Sequence, residues 1–340
     1  LISCNMISFF TKVIMFPFSV VYGLFIIFRN LLFDIKYYKP KKFKKRIISV
    51  GNLIMGGSGK TPLVEYLVEI LLKKKNNVSI ISRGYKRKTS GMIIVSDKDN
   101  FRTVGDEAIQ YFKKFKNTVK VIVSENRLKA LNINENANVN VNILDDAYQQ
   151  RIVKSDLNIL LSAINKPFYK DHIFPVGMLR EFRKNADRAD LLVFSGCDIR
   201  MNENERKEVV IEAEKYLKKN TPILFSHIRY GKPKKVFGKK IHKKVVAISS
   251  IAYPNSFFNF LKSKYKLVNT YQFQDHYRYK DKDLLKIIKK YDRDVSIITT
   301  EKDAVKLCEY KHVLGSYSVY YVPIKVVFLF NDSISNYLGK

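Results

Sequence analysis

The stretch SVGNLIMGGSGKTP, from Ser49 to Pro62, constrains this chain more than any other. Arg46–Val50 before it is a short β-branched run that reads as a strand. Leu63–Leu72 after it has helical periodicity, with Leu63, Leu67, Ile70 and Leu71 on one side. A glycine-rich turn between a strand and a helix is the context a phosphate-binding loop requires. Gly56, Gly57 and Gly59 let the backbone curl so that successive N–H groups face an anion, and the helix start adds its positive dipole end. Lys60 then reaches toward the β- and γ-phosphates of a nucleotide, and the Thr61 hydroxyl suits a magnesium ion. The strict pattern G-x-x-x-x-G-K-[ST] wants glycine at position 54, where this chain has Ile54. The nucleotide-binding set comprises Asn52, Met55, Gly56, Gly57, Ser58, Gly59, Lys60 and Thr61, with ATP and Mg2+ as the cofactors such a loop holds.

A magnesium site needs carboxylates at the end of a neighbouring strand. VNVNILDDAYQQR supplies an apolar run through Leu144 followed by Asp145 and Asp146, hard oxygen donors suited to a cation held between protein and phosphates. Strand-end aspartates also commonly just start turns; the phosphate loop tips the reading toward metal.

Strand and helix patterns alternate from Lys45 to about Phe225. Arg46–Val50, Val78–Ser82, Lys120–Ser124, Val141–Leu144, Leu157–Ser162, Leu191–Ser195 and Ile223–Phe225 read as strands. The expected fold class is therefore α/β, a phosphate-loop-type, mostly parallel sheet with helices on both faces. Nucleotide would sit beyond the carboxyl ends of its strands. A lysine-rich segment, YGKPKKVFGKKIHKK, reads as a linker or hairpin over 229–244. A second, smaller α/β domain is expected over 245–340, with strands near Val245–Ser249, Leu267–Gln272, Val295–Thr299 and Val319–Pro323. The first domain then occupies 36–228, and 1–35 forms an N-terminal membrane-associated helix.

That helix is read from VIMFPFSVVYGLFIIF, a run without charge between Lys12 and Arg29. As a helix it is roughly 24 Å long, short of a hydrocarbon core of about 30 Å. Extension through Phe33 closes the gap if Arg29 snorkels toward headgroups. No small-residue cleavage site follows, which argues against a removed signal peptide. A spanning helix, an interfacial helix and a buried core helix all fit the pattern. The next stretch, KYYKPKKFKKR, carries seven basic residues from Lys36 to Arg46. Such a cluster beside an apolar helix reads as contact with anionic lipid and places the rest of the chain in the cytoplasm.

The formal net charge is +31, from 62 basic and 31 acidic residues. An excess of this size suits nucleic acid or an anionic membrane surface. It also suits a chain rich in Lys, Asn, Ile, Tyr and Phe because of A/T-rich codons, so charge alone decides nothing. Cys4, Cys197 and Cys308 are scattered, without disulfide or zinc spacing.

Several segments together resemble the lipid A 4'-kinases (tetraacyldisaccharide 4'-kinases). They are SVGNLIMGGSGKTPLVEYL, ISRGYKRKTSG, VGDEAIQ, LDDAYQQR, FYKDHIFPVGMLREF, FQDHYRY, TTEKDAVKL and YVPIKVVFLF, in the matching order. The resemblance implies a bacterial inner-membrane enzyme with its catalytic domain on the cytoplasmic face. It would phosphorylate a membrane glycolipid, a tetraacyl disaccharide 1-phosphate, at the 4'-hydroxyl. It also implies that Asp106 is the general base, paired with His276, and that Glu107 helps organise the metal or the loop. Arg127, Arg180 and Glu181, and more weakly Arg83, match positions near nucleotide or substrate; arginine suits these because its planar fork grips phosphate oxygens. Asp106 and His276 fall in different domains, so one site built from both must lie between them.

The chain departs from the family pattern at Ile54, at Ala108 where a proline is usual, at Gln150 where a histidine is usual, and in the loose SSIAYP segment. Two other readings stay open: a phosphate-loop ATPase or GTPase switch, and a nucleic-acid-binding protein. No guanine-specifying N-K-x-D segment is present, and nucleic-acid binding leaves both the loop and the apolar start unexplained.

Overall fold

The structure, a computed structural model, describes residues 2–339, with side chains from Thr11 onward; Leu1 and Lys340 lie outside the described residues. The larger of two sheets has nine strands among these residues. Their order is Ile324–Phe328, Ile223–Tyr230, Leu191–Ser195, Leu157–Ala163, Arg46–Asn52, Val141–Asp145, Val78–Ser82, Val119–Val123 and Ile93–Ile94. The seven inner strands pair in parallel and are the seven expected from sequence; the outermost strand on each side is antiparallel. Every residue of Val78–Ser82, Val141–Asp145 and Leu191–Ser195 is buried, as strands covered on both faces must be. On one face Leu63, Leu67 and Leu71 of the helix Lys60–Lys73, with Ile109 and Phe112 of the helix Asp106–Phe115, pack on Ile80, Ile143 and Val193. On the other face Ala130 and Leu131 cover Ile47, Ile81 and Leu144.

This order fixes the site. Arg46–Asn52 lies beside Val141–Asp145 with Val50 in register with Asp145, so the glycine loop and the aspartate pair leave the carboxyl edge as neighbours.

The smaller sheet has the order Lys266–Gln272, Lys244–Ser249, Val295–Thr300, Ser318–Val322, Lys234–Phe237, the last strand being antiparallel. Two expectations about boundaries change. The segment 229–244 is not simply a linker: Lys234–Phe237 is the edge strand of the second sheet. Nor does all of 245–340 belong to the second unit. Pro323, which has no N–H to donate, separates Ser318–Val322 from Ile324–Phe328, and the latter returns to pair with Ile223–Tyr230 of the first sheet. There it covers backbone groups that an open edge would expose. Ile334 and Leu338 then pack into the first core, and Arg46 donates to the Leu338 carbonyl.

The N-terminal helix spans Ile2–Asp34. From Thr11 onward its buried positions are Ser19, Gly23, Ile26 and Asn30, one narrow stripe of mostly small or polar residues at helical spacing. Phe16, Phe18, Val21, Leu24, Phe25 and Phe28 point outward, each at least 60% exposed. The helix is thus apolar outside and polar toward the protein, which excludes a buried core helix. Thr11–Asp34 is long and apolar enough to cross a membrane. Arg29 does not snorkel outward. It turns toward the body and pairs with Glu181 at 3.3 Å, because that fully buried carboxylate needs a cation. The basic cluster is also smaller than its sequence suggests. Lys36, Lys39, Lys41, Lys42 and Lys44 are exposed, whereas Arg46 is committed to the C-terminal carbonyls.

Candidate active site

The glycine loop is braced from below. Asn52 Nδ2 donates to the Ile54 carbonyl at 2.6 Å and to Ser58 Oγ at 2.8 Å, and Ser195 Oγ donates to the Ser58 carbonyl at 2.7 Å. Met55 N–H donates to the Met178 carbonyl at 2.8 Å. Ile54, the departure from the strict pattern, is buried in a cluster with Leu53, Tyr148 and Leu179 and also lines the cavity beside Gly56, Gly57 and Ser58. Gly59, at φ 79°, turns the chain into the helix that Lys60 begins. Gly57 is glycine for want of space: a Cβ there would stand 2.8 Å from Ala252 Cβ, so the SSIAYP segment of the second unit leans directly on the loop.

Beside the loop sit the acidic residues. Asp145 is fully buried and accepts from the Tyr111 hydroxyl at 3.2 Å. Burial, then the negative charges of Glu107 and Asp146, push its carboxyl up to about 7. Its Oδ1 has no hydrogen-bond partner. Asp146, at φ 50°, behaves oppositely. Burial raises it, but Lys60 at 3.3 Å and Arg180 at 3.0 Å more than offset that and pull it down to about 2. Thr61 Oγ1 donates to Glu107 Oε1 at 3.1 Å. A magnesium ion fits this set: a hydroxyl, an orphaned buried carboxylate oxygen and uncompensated negative charge, all hard oxygen donors. Asp146 is committed to Lys60 and Arg180. No cluster of three or more His, Cys, Asp or Glu able to hold a metal occurs among the described residues.

Asp106, from the first unit, and His276, from the second, meet. His276 Nδ1 lies 2.8 Å from Asp106 Oδ2 and 2.9 Å from Oδ1, and the ring packs edge-on against Tyr85 at 4.9 Å. Asp106 is 6% exposed at the start of its helix. Burial works against its ionised form, but Lys302, His276 and Lys306 win and hold the carboxyl well below the usual range.

The other expected residues divide. Arg180 reaches the loop through Asp146. Arg127 is buried beneath it, donating to the Ser124 and Asp145 carbonyls, and burial lowers its guanidinium to about 10. Arg83 is exposed and makes no ion pair among the described residues. Glu181 is fully buried, held by Arg29 and Arg188, and so ties the N-terminal helix to the body. Sequence reasoning assigned no role to Lys302 and Lys306. Both lie in TTEKDAVKL, and their four-residue spacing on a helix following a strand was the available signal.

A phosphate loop and strand-end aspartates at the carboxyl edge of a parallel sheet, closed by a histidine from a second unit, define a phosphate-loop nucleotide-binding enzyme of the α/β class. A profile of the family described as tetraacyldisaccharide-1-P 4'-kinase (LpxK) matches residues 11–339, and the chain belongs to that family. Among its relatives, a tetraacyldisaccharide 4'-kinase of Flavobacterium johnsoniae is 37% identical over 96% of this chain and 97% of its own. One from Parabacteroides distasonis is 34% identical over 86% and 83%. The crystal structure of "apo" form LpxK from Aquifex aeolicus in complex with ATP matches with a TM-score of 0.75 and 31% identity, covering 96% of this chain and 98% of that one.

Proposed function

We propose that the protein transfers the γ-phosphoryl group of ATP to the 4'-hydroxyl of a tetraacyl glucosamine disaccharide 1-phosphate. The observation that carries this reading is the Asp106–His276 contact across the two units, beside a braced phosphate loop. A sugar hydroxyl is a poor nucleophile, so a positioned carboxylate is needed as its oxygen attacks. The Asp106 carboxylate accepts the hydroxyl proton, the 4'-oxygen bonds to the γ-phosphorus, the bond from that phosphorus to the bridging β-oxygen breaks, and ADP leaves. Lys60, 3.3 Å from Asp146 at the start of the helix after the loop, would pair with the β- and γ-phosphates, which the loop N–H groups would cradle. Thr61 and Asp145 would hold magnesium, which when bound neutralises charge on the β- and γ-oxygens. Arg180, paired with Asp146 at 3.0 Å, is a further cation that would contact the transferring group.

The acceptor carries four acyl chains and stays in the bilayer. The outward apolar face of Thr11–Asp34 supports insertion of this helix into that bilayer, with the exposed lysines 36–44 against anionic headgroups. The positive flank and the need for ATP support the cytoplasmic face of a bacterial inner membrane. In this reading the basic excess serves the membrane, and no nucleic-acid partner is expected.

The test is purified protein with Mg-ATP and the disaccharide lipid in detergent, with the product followed by mass. The lipid is expected to gain one phosphate. Phosphate release without a phosphorylated lipid would make the protein an ATPase switch instead.

A further inference from the structure

The helix Glu301–Leu307 carries two lysines, Lys302 and Lys306, that face the Asp106–His276 pair. Lys302 Nζ lies 2.9 Å from His276 Nε2, 3.6 Å from Glu107 Oε1 and 3.6 Å from Asp275 Oδ1. Lys306 Nζ lies 2.8 Å from Asp303 Oδ1 and 3.9 Å from Asp106 Oδ2. The Asp275 carboxylate also faces His276 Nε2, its Oδ2 at 3.8 Å and so beyond hydrogen-bond reach, the Tyr85 ring packs against the imidazole, and Lys86 and Arg278 line the same cavity.

A lysine ammonium has three donors and no acceptor. His276 Nε2 must therefore accept the bond from Lys302, which leaves the ring proton on Nδ1, where it is donated to Asp106. The tautomer follows from the partners of both nitrogens. A doubly protonated ring would set an N–H against an ammonium at 2.9 Å. Burial disfavours the Lys302 charge, but Asp106, Glu107 and Asp275 more than restore it and hold its pKa above the ordinary value.

We propose that Lys302 is a positioning residue that locks His276 in its neutral, Nδ1-protonated form, so that the ring only donates to Asp106 and Asp106 alone takes the hydroxyl proton. The inference deepens, and rests on, the assignment of Asp106 as base. Lys302 is also the joint between units. Its carboxylate partner Glu107 accepts from the Thr61 hydroxyl, so Lys302 also ties the second unit to the phosphate-loop side of the first.

The tautomer is read directly in long-range 1H–15N correlation spectra of the full chain, labelled with 15N-histidine and held in detergent. His276→Gln identifies the signal among the five histidines. The wild-type ring is expected to show a protonated Nδ1 and a lone pair on Nε2. Lys302→Met shifts the pattern toward Nε2 protonation and lowers kcat by about tenfold or more, with KM for ATP changed less than about threefold. Lys302→Gln, whose amide still donates to Nε2, restores the Nδ1-protonated pattern and most of the rate. An Nε2-protonated ring in the wild type overturns the proposal without need of any variant. So does a Lys302→Met protein with unchanged spectrum and rate. Failure of the base assignment is separate: Asp106→Asn retaining full rate removes it, whatever the histidine spectrum shows.

Discussion

Replacing Asp106 with asparagine separates catalysis from folding. The amide has the same shape, and its oxygen still accepts from His276 Nδ1, so the ring stays where it is. The lost charge faced two lysines, and removing one partner of a buried ion pair ordinarily costs about 3–5 kcal/mol. Here each lysine keeps another carboxylate: Lys306 keeps Asp303 at 2.8 Å, and Lys302 keeps Glu107 and Asp275 at 3.6 Å. The folding cost is therefore expected nearer 1–2 kcal/mol, or roughly 2–8 °C in Tm at about 2–4 °C per kcal/mol. The rate is another matter. General-base assistance contributes about 10²- to 10⁴-fold, which corresponds to roughly 3–5 kcal/mol of barrier. Steady-state assays at saturating lipid are expected to show kcat down by about that factor, with KM for ATP little changed because Asp106 does not touch the phosphate loop. Retention of more than about a tenth of the rate in a folded Asp106→Asn protein would refute the reasoning.

Asp145→Asn is expected to remove kinase activity yet raise Tm by a few degrees at pH 8 without divalent cation, since the raised carboxyl costs stability as pH climbs from about 4 to about 7. The gap should close toward pH 4, and melting curves at the two pH values check it. Asp146→Asn has the opposite sign. Its depressed carboxyl contributes stability above about pH 4, lost as pH falls through about 2, so the substitution should lower Tm at pH 7. Gly51→Ala places a Cβ 2.6 Å from the Tyr148 backbone nitrogen and 2.7 Å from its Cβ. Neither atom can yield alone, so thermal melts are expected to show a loss of about 1–3 kcal/mol or more. Changing Lys36, Lys39, Lys41, Lys42 and Lys44 to glutamine is expected to weaken binding to anionic vesicles, by about 1 kcal/mol per contacting residue, while leaving binding to neutral vesicles unchanged.

The inner strands of the large sheet were legible because each is a β-branched or apolar run closed by a turn signal, and burial on both faces demands that composition. Lys234–Phe237 and Ile324–Phe328 were not. The first is half lysine, a composition that suits an edge strand, and each pairs with a partner about 80 to 100 residues away that local pattern does not reveal. The glycine loop announced itself, since its chemistry is local. Asp106 and His276 lie 170 residues apart and became a pair only through the family resemblance. Lys302 and Lys306 drew no role from the sequence: Lys302 meets Glu107 and Asp275 from other segments, and the buried Lys306 pairs with Asp303 of its own helix and faces Asp106 of the first unit. The contact between Arg29 and Glu181 was not legible either, since these partners lie 152 residues apart; it fixes the N-terminal helix to the body.

The central claim is that phosphate loop and histidine, from separate units, serve one reaction. A crystal structure with magnesium and a non-hydrolysable ATP analogue tests it most directly. The γ-phosphate is expected over Gly56–Thr61 with Lys60 on it, Thr61 and Asp145 at the metal, and Asp106, still bonded to His276, facing the γ-phosphorus from the acceptor side. A nucleotide bound elsewhere, or a His276 ring turned away from Asp106 and the γ-phosphate, would contradict it.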